Sequence, residues 1–287
     1  KEKMFKKVQS FVILSVILLA ACQMNPSTTL QDQSSIKVIA VESFLGDIVQ
    51  NVAGDRIVVE TLIPRGLDPH AFEPTPRDVA KISDSDILFI NGAGFEEWLV
   101  GILENLPADQ IIIEASSGLQ SRTIEEGHTE EDGHDHEIDP HFWLDPNLVI
   151  TYVENIRDGL IQVDPDGKET YETNALKYID ELKELDSYIK NRVSEIPVER
   201  RLIVTNHESF GYFADRYGFT VVGTIIHSVS SGSTPSAQQM AELVDQMRAS
   251  GATAIFMETG SNSELADQLS QETGIKEVHD VYPHSTS

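Results

Sequence analysis

Cysteine is almost missing from this chain of 287 residues, in which Cys22 stands alone. No intrachain disulfide can form, and no Cys-based metal cage or Cys-x-x-Cys redox pair is available. Basic charge is scarce too: 21 Lys and Arg face 47 Asp and Glu, a formal charge of −26. Nucleic acid selects clustered Lys and Arg, so that class of partner is excluded. The apolar run Phe11–Ala21 covers only 11 residues, where a spanning helix needs about 20. Two hydrolase signatures are also missing. His207-Glu208 begins like a zincin motif, but position 211 is Gly, so His-Glu-x-x-His is not completed. No Gly-x-Ser-x-Gly elbow occurs either.

An apolar fraction of 40% is enough for a real core. The chain opens with Lys1, Lys3, Lys6 and Lys7, then the apolar run, then Leu19-Ala20-Ala21-Cys22. This is the order of a secretory signal peptide. The cysteine after small residues resembles a bacterial lipobox, whose thiol is lipidated and becomes the new N-terminus; the plainer reading is an ordinary cleaved signal with a chance cysteine. Residues 23–35 are polar and lack periodicity, as a flexible tether would be. Removing residues 1–21 takes away four Lys and one Glu, so the mature charge is 17 minus 46, or −29. The mature protein is expected outside the cytoplasm, anchored to the cell membrane through Cys22.

From Ile36 onward, strand and helix patterns alternate. Strands are expected at Ile36–Val41, Arg56–Ile63, Asp86–Ile90 and Gln110–Glu114, with helices at Phe44–Ala53, from Thr75-Pro76 to Ser83, and at Glu96–Leu106. A second series places strands at Leu202–Thr205, Thr220–Ile226, Ala254–Glu258 and Lys276–Tyr282. Its helices fall at Ser209–Tyr217, Ser236–Ser250 and Ser263–Thr273. Such alternation predicts βαβ units and an α/β fold with largely parallel sheets. After a helix from about Pro146 to Gln162, the longest periodic segment runs from Lys168 to Ile196. There Ala175, Ile179, Leu182, Leu185, Ile189, Val193 and Ile196 recur at helical spacing. This helix is either a rigid strut between two lobes or a core helix of one domain. The expected divisions are 1–21, 22–35, 36–163, 164–196 and 197–287. The chain stops at Ser287 with no closing helix after its last strand, as a shortened C-terminal lobe would.

Residues 122–139 break the pattern. Eight of the eighteen are Asp or Glu, with His128, His134 and His136 among them. They read as a solvated surface loop, or as weak, exposed capture of divalent metal by imidazole and carboxylate. Four other histidines, His70, His141, His207 and His284, lie in loops after strands or beside turns, two in each proposed lobe. Sites in parallel α/β sheets form at the carboxyl ends of strands. Imidazole suits Zn, Cu and Ni. Four histidine nitrogens around zinc would make a closed holding site, whereas catalytic zinc keeps a water position open. Asp68, Asp139 and Asp145 are candidates to accept the second ring N–H of a ligand histidine, or simply to cap turns beside proline. Glu208 faces either the site or solvent, and Phe142 and Trp143 are expected to wall the site.

Three stretches carry a resemblance. Gly66-Leu67-Asp68-Pro69-His70-Ala71-Phe72-Glu73-Pro74-Thr75-Pro76, Asp139-Pro140-His141-Phe142-Trp143-Leu144-Asp145-Pro146 and Thr205-Asn206-His207-Glu208-Ser209-Phe210-Gly211-Tyr212-Phe213-Ala214 resemble three ligand motifs of the zinc/manganese solute-binding lipoproteins of ABC transporters. The likeness runs from about Ile36 to the end. It implies two α/β lobes joined by one long rigid helix, with a metal in the cleft between them. It implies a monomer that is no enzyme, partnered by a membrane permease. Acidic His-rich insertions before the second motif are typical of the zinc members. The family usually completes its site with a carboxylate near the last strand. Here the matching residue is His284, with Asp280 as the nearest carboxylate alternative. A histidine third ligand, and a fourth at His284, tilt the choice to Zn²⁺ over Mn²⁺, since harder ions favour oxygen. The competing functions are a zinc hydrolase and an adhesin for host matrix.

Overall fold

The computed structural model describes residues 36–124, 137–258 and 263–284. The signal-peptide and tether readings, Cys22 and the histidines of the acidic loop lie outside them, as does the side chain of Asp280.

Two four-stranded sheets form, each wholly parallel. The first contains β1 (Val38–Ala40), β2 (Val59–Thr61), β3 (Ile87–Ile90) and β4 (Ile111–Glu114) in the order β2-β1-β3-β4. The second contains β7 (Leu202–His207), β8 (Thr220–Ile226), β9 (Ala254–Glu258) and β10 (Lys276–Val281) in the order β10-β9-β7-β8. Matching β1 to β7 and counting on, both sheets have the same topology. The strand order reverses between β1 and β3 in one and between β7 and β9 in the other. Crevices for ligands open at the carboxyl ends of strands at such points. Between the sheets in sequence, β5 (Thr123–Ile124) and β6 (Glu137–Ile138) pair antiparallel at the foot of the acidic loop.

Helices α1 (Ser43–Ala53), α2 (Pro76–Ser83), α3 (Val100–Leu103), α4 (Pro146–Val163) and α5 (Lys168–Ser194) follow or connect the first sheet. Helices α6 (Gly211–Tyr217), α7 (Ala237–Ser250) and α8 (Glu264–Thr273) belong to the second. The sequence explains their boundaries. Thr75 caps α2 in a reciprocal capping box with Asp78, and Ser236 does the same for α7 with Gln239. Gly218, Gly251 and Gly274 end α6, α7 and α8 in the left-handed conformation that costs glycine least. The expected strand Arg56–Ile63 shrinks to Val59–Thr61, and the expected helix over Glu96–Leu106 becomes a 3-10 turn at Glu97–Leu99 followed by the short α3.

The long helix is one continuous element, as the strut reading requires. Its first half packs on the first lobe: Tyr171, Ala175, Ile179 and Leu182 join a core with Phe44, Leu45, Val49, Val153, Ile156 and Leu160. Leu185 departs from expectation and is exposed, while Asp186 is buried. The helix has left the apolar core there, and its inward face meets α6 instead. Arg216 of α6 donates to both Asp186 oxygens at 3.0 Å, Lys190 reaches one at 2.7 Å, and the Tyr217 hydroxyl donates at 3.2 Å. At the other end, Arg56 and Tyr171 both donate to Asp164. The strut is therefore fastened near each terminus by a carboxylate.

Candidate metal centre

All four predicted histidines converge. One ring nitrogen from each of His70, His141, His207 and His284 lies within 4.8 Å of the others. His70 comes from the loop after β2, His141 from the turn before α4, His207 from the last position of β7 and His284 from the segment after β10. His141 and His207 are fully buried, and His284 nearly so. Two lobes thus contribute two imidazoles each.

A hydrogen bond decides which nitrogen the His141 ring offers. His141 Nδ1 lies 2.9 Å from Asp139 Oδ1, and the same oxygen accepts the His141 backbone N–H at 3.0 Å. Oδ1, already accepting the backbone N–H, faces the ring as an acceptor, so Nδ1 carries the proton and Nε2 is the free base. His207 Nδ1 sits 3.0 Å from Glu258 Oε1, an ion-pair distance rather than a well-aligned hydrogen bond. Its Nε2 faces His141 Nε2 at 3.3 Å. His70 Nε2 and His284 Nε2 are buried with no hydrogen-bond partner among the described residues. One nitrogen of each ring thus lies in a single cluster. Ligands about 2.05 Å from a tetrahedral zinc stand about 3.3 Å apart, the separation His141 and His207 already hold.

The cluster's electrostatics follow from burial and mutual repulsion. Burial, with His207 nearby, pushes His70 down to about 3, against a smaller pull from Asp68. Burial and the neighbouring histidines hold His141 and His284 well below the ordinary imidazole range. These three are free bases at neutral pH, as metal ligands must be. His207 differs. Burial again disfavours its charge, but Glu258, with Asp68 and Asp139, outweighs that and holds it above the ordinary value.

The supporting carboxylates sort themselves by geometry. Asp139 braces His141; burial raises it to about 7, against the pull of the His141 N–H and Arg122. Asp68 caps its own turn through the His70 N–H at 3.0 Å and accepts from Ser231 of the second lobe. Asp145 caps α4 through Asn147. Glu208 accepts from Thr224 at 3.0 Å. Trp143 walls the site, its ring 5.1 Å from His141 and 5.9 Å from His284, and stacks on Phe44 at 4.1 Å. Phe142 does not share that role. It packs on Tyr212 at 4.8 Å, and Phe95 takes its place, 4.7 Å from His70 and 5.8 Å from His141.

Glu258 was not foreseen as a site residue. It ends β9, where Thr205↔Phe256 pairing sets His207 level with it. Ser209 Oγ donates to Oε1 at 3.0 Å, while Oε2 is 3.7 Å from His284 Nδ1. The available signal was a charged residue closing an apolar strand. The side chain of Asp280, the carboxylate alternative for the fourth position, lies outside the described residues.

Known proteins share this architecture. The profile of a family described as zinc-uptake complex component A, periplasmic, matches residues 38–287. The manganese-binding lipoprotein MntA of Halalkalibacterium halodurans is 37% identical over 95% of this chain and 88% of its own. The manganese ABC transporter substrate-binding lipoprotein PsaA of Streptococcus pneumoniae is 32% identical over 98% and 91%. Among solved structures, a Mn-bound periplasmic metal-binding protein from Candidatus Liberibacter asiaticus superposes with a TM-score of 0.76 at 29% identity, over 88% of this chain and 90% of that one.

Proposed function

The chain belongs to the family of metal-binding ABC-transporter substrate-binding lipoproteins, and we propose that its own substrate is Zn²⁺, held by His70, His141, His207 and His284. Membership makes it an extracytoplasmic receptor rather than an enzyme, so the hydrolase alternative is set aside. Its partner is the membrane permease of an ABC transporter, to which it delivers the captured ion for import. We further propose that it works as a monomer tethered through a lipid on Cys22.

The observation that carries the zinc reading is the donor set: four imidazole nitrogens within 4.8 Å. Imidazole suits zinc, while manganese prefers carboxylate and water oxygens. The relatives named for manganese make Mn²⁺ the alternative substrate, and the choice rests on those four nitrogens. Neutral ligands suit a carrier. They leave the +2 charge to be balanced by Asp139 and Glu258, one atom layer out, where Asp139 braces the His141 ring and Glu258 sits beside the rings of His207 and His284. The site needs no water position, and water is what a zinc hydrolase would require.

The test is metal content and competition. Protein prepared without chelator is expected to hold one zinc per chain and to prefer Zn²⁺ over Mn²⁺ when both are offered. His141→Ala is expected to lose the tight site. Retention of wild-type zinc affinity by His141→Ala would refute the ligand set, and a preference for Mn²⁺ would refute the substrate. The likeness to a laminin-binding adhesin of Streptococcus agalactiae, with a TM-score of 0.76 at 26% identity, extends over the whole fold and singles out no surface, so matrix binding is not proposed.

A further inference from the structure

Behind His141 lies a second polar cluster that the metal reading does not use. Glu42 follows β1 and occupies the position before α1, yet its side chain does not cap that helix. It turns inward and is completely buried. Neither of its oxygens meets a well-aligned donor from the described backbone or from a neutral side chain. Its neighbour is another acid, Glu96, also buried, and the two carboxyl groups lie close enough to act directly on each other. Two ionised carboxylates have four acceptors and no donor between them. The contact therefore requires a proton, and the pair carries one charge instead of two.

The rest of the cluster shows which acid keeps the charge. Glu96 accepts the backbone N–H groups of Asn91 and, at 3.1 Å, Gly92. Those bonds favour its anion. Glu42 has only its own backbone N–H for support, so the proton belongs on Glu42, which donates to Glu96. Asn91 passes the restraint onward. Its Nδ2 donates to Gly92 O at 3.0 Å and Pro140 O at 3.1 Å, and its Oδ1 accepts from Tyr152. Pro140 is bonded to His141. Phe95, next to Glu96, lies against His70 and His141. These residues occupy the point of strand-order reversal between β1 and β3.

We propose that Glu42 and Glu96 form a proton-sharing pair whose single charge fixes the Asn91–Glu96 loop against Pro140 and so aims His141 and Phe95 into the metal centre. Both are positioning residues, since neither is a candidate ligand. The inference rests on the zinc reading only for its consequence; the shared proton stands on the cluster itself. Burial, then repulsion by Glu96, holds Glu42 well above the carboxylate range. Burial pushes Glu96 up to about 7, against the bonds it accepts. Tyr152 of α4 faces the pair and is itself pushed well above its ordinary value by burial and both acids, and no cation acts on either acid among the described residues. A carboxyl whose folded pKa is raised contributes stability at low pH that is lost as pH rises through the folded value. The loop is therefore firmest in the acid and neutral range and loosens toward alkaline pH.

The experiment compares wild type with Glu42→Gln, Glu42→Ala and Glu96→Gln as full-length proteins. Infrared difference spectra of the metal-free protein read the protonated carboxyl, and melting from about pH 6 to about pH 9 reads its loss. Zinc competition over the same range reads the positioning. Glu42→Gln carries a permanent donor, so it is expected to lack the protonated-carboxyl band and to bind zinc within about threefold of wild type at the acid end. Its advantage over wild type grows with pH. Glu42→Ala and Glu96→Gln are expected to weaken zinc about tenfold or more, as losses behind a ligand do. An unchanged band in Glu42→Gln, or identical pH profiles for Glu42→Gln and Glu42→Ala, overturns the pair. Band and melting are read without metal, so failure of the zinc reading would leave them intact and be recognised separately.

Discussion

Replacing Glu258 by Gln is the most direct probe of how the metal centre is prepared. The amide is nearly isosteric, so no cavity forms and the β9 terminus stays packed. What changes is charge and donor pattern. Glu258 is almost wholly buried, and its neighbours include His207 Nδ1 at 3.0 Å, His284 Nδ1 at 3.7 Å and Ser209 Oγ at 3.0 Å. Gln keeps one accepting oxygen, which can stay with His207 and Ser209. Its NH₂ then faces His284 Nδ1, where a second acceptor stood. The loss is the charge assistance at one imidazole and the partner of another, about 1.5–3 kcal/mol together. At about 1.4 kcal/mol per decade, zinc affinity falls roughly ten- to a hundredfold, the range expected when the group behind a metal ligand is removed. The assay is competition against a fluorescent chelator at fixed ionic strength, with metal-free melting as the control for folding. A second signature comes from pH. Glu258 is the main group that raises His207, so the variant's affinity should decline less steeply in acid than wild type's. Zinc binding within about twofold of wild type, with an unchanged pH slope, would refute the role given to this carboxylate.

Other expectations follow from the same geometry. Zinc must displace the proton that Glu258 favours on His207, so affinity is expected to drop about tenfold per pH unit once pH falls below the His207 value; a pH series of competition titrations with proton-release calorimetry checks it. Asp186→Ala should destabilise the fold by about 2 kcal/mol in urea melts, because Arg216 and Tyr217 lose their acceptor on the strut and Arg216 keeps only the longer contact to Asp145 at 3.8 Å. Hydrogen bonds from Arg216 hold Asp186 well below the carboxylate range, and those from Arg56 lower Asp164. Their stabilisation is complete above the unfolded value of about 3.9 and fades as pH falls through the folded values, so Asp186→Asn should flatten the acid limb of a stability–pH curve. Trp143 stacks between Phe44 and the histidine cluster, and its indole donates to Pro283 O. Metal binding should therefore shift a tryptophan emission that Trp143→Phe removes and Trp98→Phe leaves.

Much of this was legible in the sequence because it is local. Three of the four candidate histidines, His70, His141 and His284, directly follow a proline that marks a turn, while His207 closes an apolar strand, and the helices announce themselves through caps and apolar spacing. The parts that were not legible depend on pairing across distance. Glu258 meets His207 only because β7 and β9 lie side by side in register, joining residues about fifty positions apart. Leu185 followed the helical period faithfully and is nevertheless exposed, since periodicity cannot tell where a long helix leaves one core and turns a polar face to another lobe. Phe95 replaced Phe142 as a wall of the site for a similar reason: it rides on the loop after β3, and the proximity of that loop to His70 is a property of the sheet order.

The parallel sheets also bear on how the chain reaches its place of work. Every pairing within the two sheets joins strands through a crossover, with partners such as Val38 and Ile87 or Ile203 and Val221 drawn from separate stretches. No two-residue hairpin starts either sheet, and loops must close before any ladder can form. Chains dominated by such non-local contacts fold slowly. For a family of receptors that act beyond the cytoplasmic membrane, slow closure would keep the chain open for export before its four clustered histidines, drawn from both lobes, come together.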